Sequence, residues 1–151
     1  MKKIATKDIV FVSIQLLLFI AFVFPIAAFS FQPNCVLKYT AFAIASIGIV
    51  VIALAILQLN KNLTPFPTPK ENGTLKQTGL YKFVRHPIYS GIILTALGFG
   101  FYDGSFWKIA VGFSLWILFY FKSKYEERLL TNQFSDYKEY KKNTGRFFPF
   151  F

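Results

Sequence analysis

Four apolar stretches restrict the fold of this chain more than any other feature of its sequence. The first two, residues 9–31 and 39–59, contain no charged side chain over 23 and 21 residues. A helix needs about 20 apolar residues to cross about 30 Å of hydrocarbon. Shorter stretches at 88–102 and 106–121 are joined by the turn Asp103-Gly104-Ser105. We therefore predict an all-α integral membrane protein with four transmembrane helices, the last two forming a short hairpin that either spans a locally thinned bilayer or is re-entrant.

The composition supports one membrane domain over residues 1–151. Hydrophobic residues make up 54% of the chain and charged residues only 16%, against roughly 25% charged in soluble domains. The single cysteine and single histidine, Cys35 and His86, exclude an intrachain disulfide and argue against histidine or thiolate metal sites. A cleaved signal peptide is the alternative for the first stretch, but its apolar core is longer than the usual 7–15 residues.

The distribution of positive charge predicts the orientation. Of the 17 Lys and Arg residues, all but Lys38 and Lys108 lie in three segments. These are residues 1–8, the 60–87 loop and the 122–151 tail. The positive-inside rule therefore places both termini and that loop in the cytoplasm. The tail is basic and aromatic, which predicts an amphipathic helix at the membrane interface, anchored by tyrosines and by phenylalanines up to Phe150 and Phe151. With such apolar spans, the net charge of +10 indicates a membrane partner and no nucleic acid.

A polar motif stands where the third stretch begins. Proline is favoured at the first position of a helix, and the residue before it is pushed out of the helical region, so we expect His86 to be the N-cap and Pro87 the helix start. The free N–H groups at such a terminus attract anions. Arg85, next to it, can bind a carboxylate or phosphate with two hydrogen bonds.

Two adjacent acids, Glu126 and Glu127, follow the fourth stretch. In an antiparallel hairpin they fall about 7 Å beyond the start of the third helix, so we expect both to face the same cytoplasmic opening. Carboxylates at the C-terminal end of a helix are disfavoured by its dipole. A cation from the protein or from a ligand should therefore compensate them.

These motifs resemble the isoprenylcysteine carboxyl methyltransferase family and the related phospholipid methyltransferases. The resemblance covers Thr74 to Pro149. It rests on the following segments in this order: Thr74-Leu75, Gly79-Leu80-Tyr81, Arg85-His86-Pro87-Ile88-Tyr89-Ser90-Gly91, Glu126-Glu127 and Phe134-Ser135-Asp136-Tyr137-Lys138-Glu139-Tyr140.

The resemblance implies a methyltransferase that uses S-adenosylmethionine on a lipid-like or isoprenoid acceptor, most simply by O-methylation of a carboxylate. Lys122 stands where eukaryotic members carry an arginine associated with the substrate, and Gly73 where they carry a histidine. Glu127 is a candidate base for an amine acceptor, which must lose a proton. The implied cofactor contacts are Thr74, Leu75, Tyr81, His86, Pro87, Tyr89, Glu126 and a glycine pair, Gly98 and Gly100, with Arg85 added from its chemistry.

Two other functions agree with the same sequence. A lipid or sterol reductase that uses a nicotinamide cofactor shares an Arg-His-Pro-x-Tyr motif, but those enzymes carry an acid where this chain has Ile92. A small exporter would need an acid inside the membrane, which the first two stretches lack. The compact spans suggest a prokaryotic plasma membrane. The sequence specifies neither the acceptor nor the oligomeric state.

Overall fold

The computed structural model describes residues 5–24, 30–70 and 72–149, and these residues form five α-helices. Two short 3-10 turns, Asn60–Asn62 and Gly79–Lys82, interrupt the otherwise irregular connection between the second and third helices. The described residues contain no β-strand, so the predicted all-α class is confirmed. The helices are α1 (Thr6–Val23), α2 (Cys35–Leu59), α3 (Pro87–Tyr102), α4 (Phe106–Gln133) and α5 (Tyr137–Lys142).

The first two helices are long and apolar enough to cross a membrane. Their apolar side chains are largely exposed, as expected of surfaces that lipid covers. α1 ends at Val23, well before the predicted end at Phe31. Phe24 is already extended, with φ −77° and ψ 115°, because a residue that precedes a proline avoids the helical region. Residues 25–29 of that predicted span lie outside the described residues, and Ser30 and Phe31 are not helical.

α2 and α3 are in backbone contact because small residues line both helices. A Cβ atom added to Gly48 would lie 2.7 Å from the carbonyl oxygen of Gly91. One added to Gly98 would lie 2.7 Å from the backbone nitrogen of Ala45. Glycine and alanine therefore set the distance between these helices.

A turn joins α3 and α4 at Asp103-Gly104-Ser105, the predicted position. Gly104 has φ +64°, in the left-handed region that glycine adopts without strain. The Ser105 hydroxyl accepts a hydrogen bond from the Lys108 N–H at 3.3 Å and so caps α4. The Phe31 N–H donates to the Gly104 carbonyl at 2.7 Å, which ties the α1–α2 connection to this turn.

The prediction of an interfacial helix for residues 122–151 is wrong. α4 continues to Gln133 as one helix of 28 residues, and α5 has only 6 residues. The tail then folds back against the body of the protein. Tyr137 and Tyr140 are 1% and 7% exposed, and Phe147 joins the core that surrounds Phe119. These aromatic residues are buried within the protein. Phe150 and Phe151 lie outside the described residues.

Backbone hydrogen bonds hold the tail beside the segment that precedes α3. The N–H of Arg85 donates to the Gly145 carbonyl at 2.9 Å, and that of His86 donates to the Arg146 carbonyl at 3.1 Å. The Ser90 hydroxyl donates to the Phe147 carbonyl at 2.6 Å. The start of α3 is thus built from two segments far apart in sequence.

Candidate active site

A cavity of about 340 Å³ lies where α3 begins, within the range of ligand pockets. The connection between α2 and α3 forms one wall, and α3, α4 and the tail form the others. The structure brings nine of the twelve predicted site residues to this wall. They are Thr74, Leu75, Tyr81, Arg85, His86, Pro87, Tyr89, Lys122 and Glu126.

The start of α3 has the predicted local structure. His86 is the N-cap and Pro87 occupies the first turn, although the histidine side chain makes no capping hydrogen bond. The His86 ring instead stacks on Tyr89, with the centroids 5.3 Å apart and an interplanar angle of 5°. Tyr89 stacks in turn on Phe119 at 4.5 Å and 4°. This stack fixes two aromatic side chains in the cavity wall.

Glu126 faces the cavity, as predicted. One carboxylate oxygen, Oε2, accepts a hydrogen bond from the Tyr89 hydroxyl at 2.9 Å and lies 3.6 Å from Nδ1 of His86. A quarter of the side chain is exposed. A carboxylate that is oriented by a neighbour and still accessible can bind a cationic group of a ligand.

Glu127 points elsewhere, so the two acids do not face one opening. It is not among the residues that line the cavity, and its side chain is 2% exposed. Arg85 Nε donates to it at 3.0 Å, Arg146 binds both oxygens at 3.1 Å, and Lys141 Nζ lies at 2.9 Å. Glu127 thus anchors the tail.

These contacts determine the protonation state of Glu127. Burial alone would raise the pKa of its carboxyl group, but the nearby His86 ring and the contacts with Arg146 and Lys141 outweigh burial and hold the pKa far below its ordinary value. A carboxylate held so strongly in its charged form is a poor proton acceptor. The geometry does not support the predicted role of Glu127 as a base.

Arg85 lines the cavity, but its guanidinium is already engaged. Besides Glu127, it donates from Nη1 to the Lys141 carbonyl at 3.0 Å and to the carbonyl of Thr144. These bonds fix the tail next to α3. Arg85 was predicted to bind a ligand with two hydrogen bonds, but it binds the tail instead. It still contributes positive charge to this end of the cavity.

The sequence of this chain matches the phospholipid methyltransferase family over residues 37–137, about two thirds of its length. The chain belongs to this family. The predicted resemblance is thereby confirmed, and the family favours a methyltransferase over a reductase or an exporter. No curated protein sequence matches the chain.

The fold of this family member is shared with a larger membrane enzyme. A solved structure of the eukaryotic intramembrane Ras methyltransferase ICMT (isoprenylcysteine carboxyl methyltransferase) superposes with a TM-score of 0.69 at 22% identity. The match covers 95% of this chain and 50% of that one, so this chain spans about half the length of ICMT. At this identity the likeness establishes the fold.

Lys122 places a buried positive charge at one side of the cavity. Its ammonium donates to Gln15 Oε1 at 2.7 Å and to the Pro65 carbonyl at 3.0 Å. It also lies 5.4 Å from the centre of the Tyr89 ring, close enough for a cation–π contact. Lys122 therefore joins α1, the α2–α3 connection and α4. The sequence did not predict Gln15, since nothing marks a lone glutamine within an apolar helix as a site residue.

The glycine pair lies outside the cavity. Gly98 is packed against Ala45 of α2, and a Cβ atom on Gly100 would lie 2.9 Å from the backbone nitrogen of Ile109. Neither glycine lines the cavity. Their role is the close packing of helices, and the predicted cofactor contact at Gly98 and Gly100 is not supported.

Asn62 closes the loop that covers the cavity. Its side-chain nitrogen donates to the Thr74 carbonyl at 2.9 Å and its oxygen accepts from the Thr74 N–H at 3.2 Å. The prolines between them, Pro65, Pro67 and Pro69, line the cavity and restrict the backbone of this loop. The sequence predicted Thr74 but not Asn62, because a pairing across 12 residues of loop leaves no local pattern.

Proposed function

We propose that this chain is an S-adenosylmethionine-dependent methyltransferase that acts on a lipid-like or isoprenoid acceptor at the cytoplasmic side of a membrane. The observation that carries the proposal is the convergence of Glu126, the start of α3 and aromatic side chains on one cavity in a methyltransferase family. The concentration of Lys and Arg in the segments around this cavity supports the cytoplasmic orientation.

The residues present suit the chemistry of the cofactor. S-adenosylmethionine carries an ammonium, a carboxylate, a sulfonium and an adenine ring, and it supplies the methyl group. Glu126 would bind a cationic group, the electropositive start of α3 would bind the carboxylate, and Tyr81, Tyr89 and apolar residues would surround the ring. Thr74 and Leu75 would contact the cofactor from the loop.

A carboxylate is the acceptor group that the site suits best. Lys122 would bind it, because a buried ammonium is a strong partner for an anion. Methyl transfer to a carboxylate needs no base, since the acceptor already carries its lone pair. Positioning the acceptor and excluding water would then supply most of the rate. We assign Glu127 no proton transfer, because its carboxylate is held by Arg85, Lys141 and Arg146.

Binding of the cofactor tests the first part of the proposal. We expect the detergent-purified protein to bind S-adenosylmethionine in a titration, and Glu126→Gln to weaken binding about 10-fold or more, the cost of one charge-assisted bond. Glu139→Gln is the matched control, because this acid is exposed and pairs with Lys142 on α5. Absence of binding to the wild-type protein would overturn the proposal.

The type of bond that the transferred methyl group forms tests the second part of the proposal, methylation of a carboxylate. Membranes that contain the protein would be incubated with methyl-labelled S-adenosylmethionine, and the extracted lipids treated with alkali. A methyl ester releases its label as volatile methanol, whereas a methylated amine retains it. Labelled lipid without alkali-labile counts would contradict carboxylate methylation while leaving methyltransferase activity intact.

A further inference from the structure

The hydroxyl group of Tyr137 is buried without a partner. The residue is 1% exposed, lines the cavity, and its hydroxyl makes no hydrogen bond with any described residue. Its neighbour Tyr140 differs, since that hydroxyl donates to the Tyr81 carbonyl at 2.5 Å. Buried polar groups are nearly always paired in folded proteins, so an unpaired one in a cavity wall indicates a missing ligand.

A second unpaired group lies at the same end of the cavity. Nε2 of His86 is buried without a hydrogen-bond partner among the described residues; its nearest charged neighbour, an oxygen of Glu127, lies 3.5 Å away. His86 is the N-cap of α3, and the first N–H groups of a helix lack partners within it. Unused hydrogen-bonding capacity is therefore concentrated where α3 begins.

The residues around Glu127, of which Arg85 lines the cavity, carry more positive than negative charge. Arg85, Lys141 and Arg146 all contact Glu127, so three cations surround one carboxylate. The start of α3 adds the positive end of a helix dipole. This end therefore suits an anionic group. Glu126, also in the cavity wall, suits a cation.

Tyr137 can act only as a donor towards such an anion. Burial raises the pKa of its phenol, Glu127 raises it further, and Arg85 lowers it only in part. The hydroxyl therefore keeps its proton at any cellular pH. A protonated phenol close to Arg85 and to the start of α3 offers one hydrogen bond to a carboxylate.

We propose that the Tyr137 hydroxyl binds the carboxylate at the amino-acid end of the cofactor, opposite the ammonium that Glu126 would hold. This proposal rests on the proposed function, since it assumes that S-adenosylmethionine occupies the cavity. It adds a residue of the tail to the binding site, so the tail would both close the site and contact the ligand.

The experiment compares two ligands that share the nucleoside. S-adenosylhomocysteine has the amino-acid end, and 5′-methylthioadenosine lacks it. We expect Tyr137→Phe to weaken binding of S-adenosylhomocysteine about 10-fold, as for a bond to a charged group, and to change binding of 5′-methylthioadenosine less than about twofold. Tyr140→Phe is the control, because it removes the hydroxyl bonded to Tyr81. It should lower the melting temperature without separating the two ligands.

The outcomes distinguish this proposal from the function on which it rests. If the wild-type protein binds neither ligand, the proposed function fails and this proposal with it. If the wild-type protein binds and Tyr137→Phe weakens both ligands equally, or neither, the carboxylate assignment is overturned. Because the hydroxyl makes no bond in the folded protein, Tyr137→Phe should melt at or above the wild-type temperature without ligand. A clear loss of stability would contradict the premise.

Discussion

Replacing Glu127 with glutamine should destabilise the protein without removing a catalytic group. The substitution keeps the size of the side chain and removes its charge. Arg85 and Arg146, with side chains 8% and 20% exposed, then lose the carboxylate that both contact at 3.0–3.1 Å. Lys141 loses less, because its side chain is 46% exposed and water already screens its charge.

The size of the effect follows from these contacts. Removing one partner of a buried ion pair costs about 3–5 kcal/mol, because the other charge is left uncompensated. Glutamine retains one acceptor oxygen for the arginines, so we expect a loss near the lower end, about 3 kcal/mol. For a protein of this size, that loss lowers the melting temperature by about 6–12 °C.

Thermal unfolding in detergent micelles, followed by tryptophan fluorescence, would measure this loss. Glu126→Gln is the matched control on the next residue. It weakens a single hydrogen bond, from Tyr89, and should lower the free energy of unfolding by about 1 kcal/mol or less. Cofactor affinity should show the reverse order. Glu126→Gln should lose more affinity than Glu127→Gln, although it loses less stability.

Acid unfolding provides an independent measurement. The pKa of Glu127 is depressed in the folded protein, so the carboxylate stabilises the fold above its unfolded pKa of about 4.5 and progressively less below it. We expect the melting temperature of the wild-type protein to fall more steeply below this pH than that of Glu127→Gln. If Glu127→Gln melts like the wild-type protein but has lost methyl transfer, Glu127 acts in catalysis and our assignment is wrong.

Three further substitutions test the packing and the loop. Gly98→Ala should cost about 1–3 kcal/mol of stability by overpacking without changing the cofactor affinity of the folded protein. A loss of cofactor affinity without a loss of stability would show instead that Gly98 contacts the cofactor. Asn62→Ala should weaken cofactor binding about 3- to 10-fold, because the loop loses its hydrogen bonds to Thr74; unchanged affinity would contradict the loop's role. Lys122→Met should reduce methyl transfer to a carboxylate lipid about 10-fold or more, measured in a transfer assay. A titration should show that this variant still binds the cofactor.

The parts of the fold predicted correctly are those with strong local signals. Pro87 fixes the first turn of α3 and Gly104 fixes the hairpin turn, and both effects depend on only a few neighbouring residues. Most of the predicted site residues lie in the cavity wall for a similar reason, since the Arg-His-Pro motif and Glu126 lie at the ends of recognisable apolar stretches.

The tail was predicted incorrectly because its structure depends on contacts distant in sequence. Aromatic and basic residues at a membrane edge are typical of an interfacial helix, and composition alone cannot show that Gly145 bonds to the backbone of Arg85. The burial of Tyr137 follows from the same pairing. The partners of Glu127 come from Arg85 and from the tail, so its role also required the tertiary structure.

The adjacent acids show how one helix couples the cavity to the tail. Successive residues of an α-helix point about 100° apart, so α4 directs Glu126 towards Tyr89 and the cavity and Glu127 towards Arg85 and Arg146. Arg85 directly precedes the N-cap of α3, so the ion pair that anchors the tail also positions the start of α3. Formation of the site and docking of the tail should therefore be one cooperative event. Loss of the Glu127 anchor should loosen the cavity even though Glu127 does not line it.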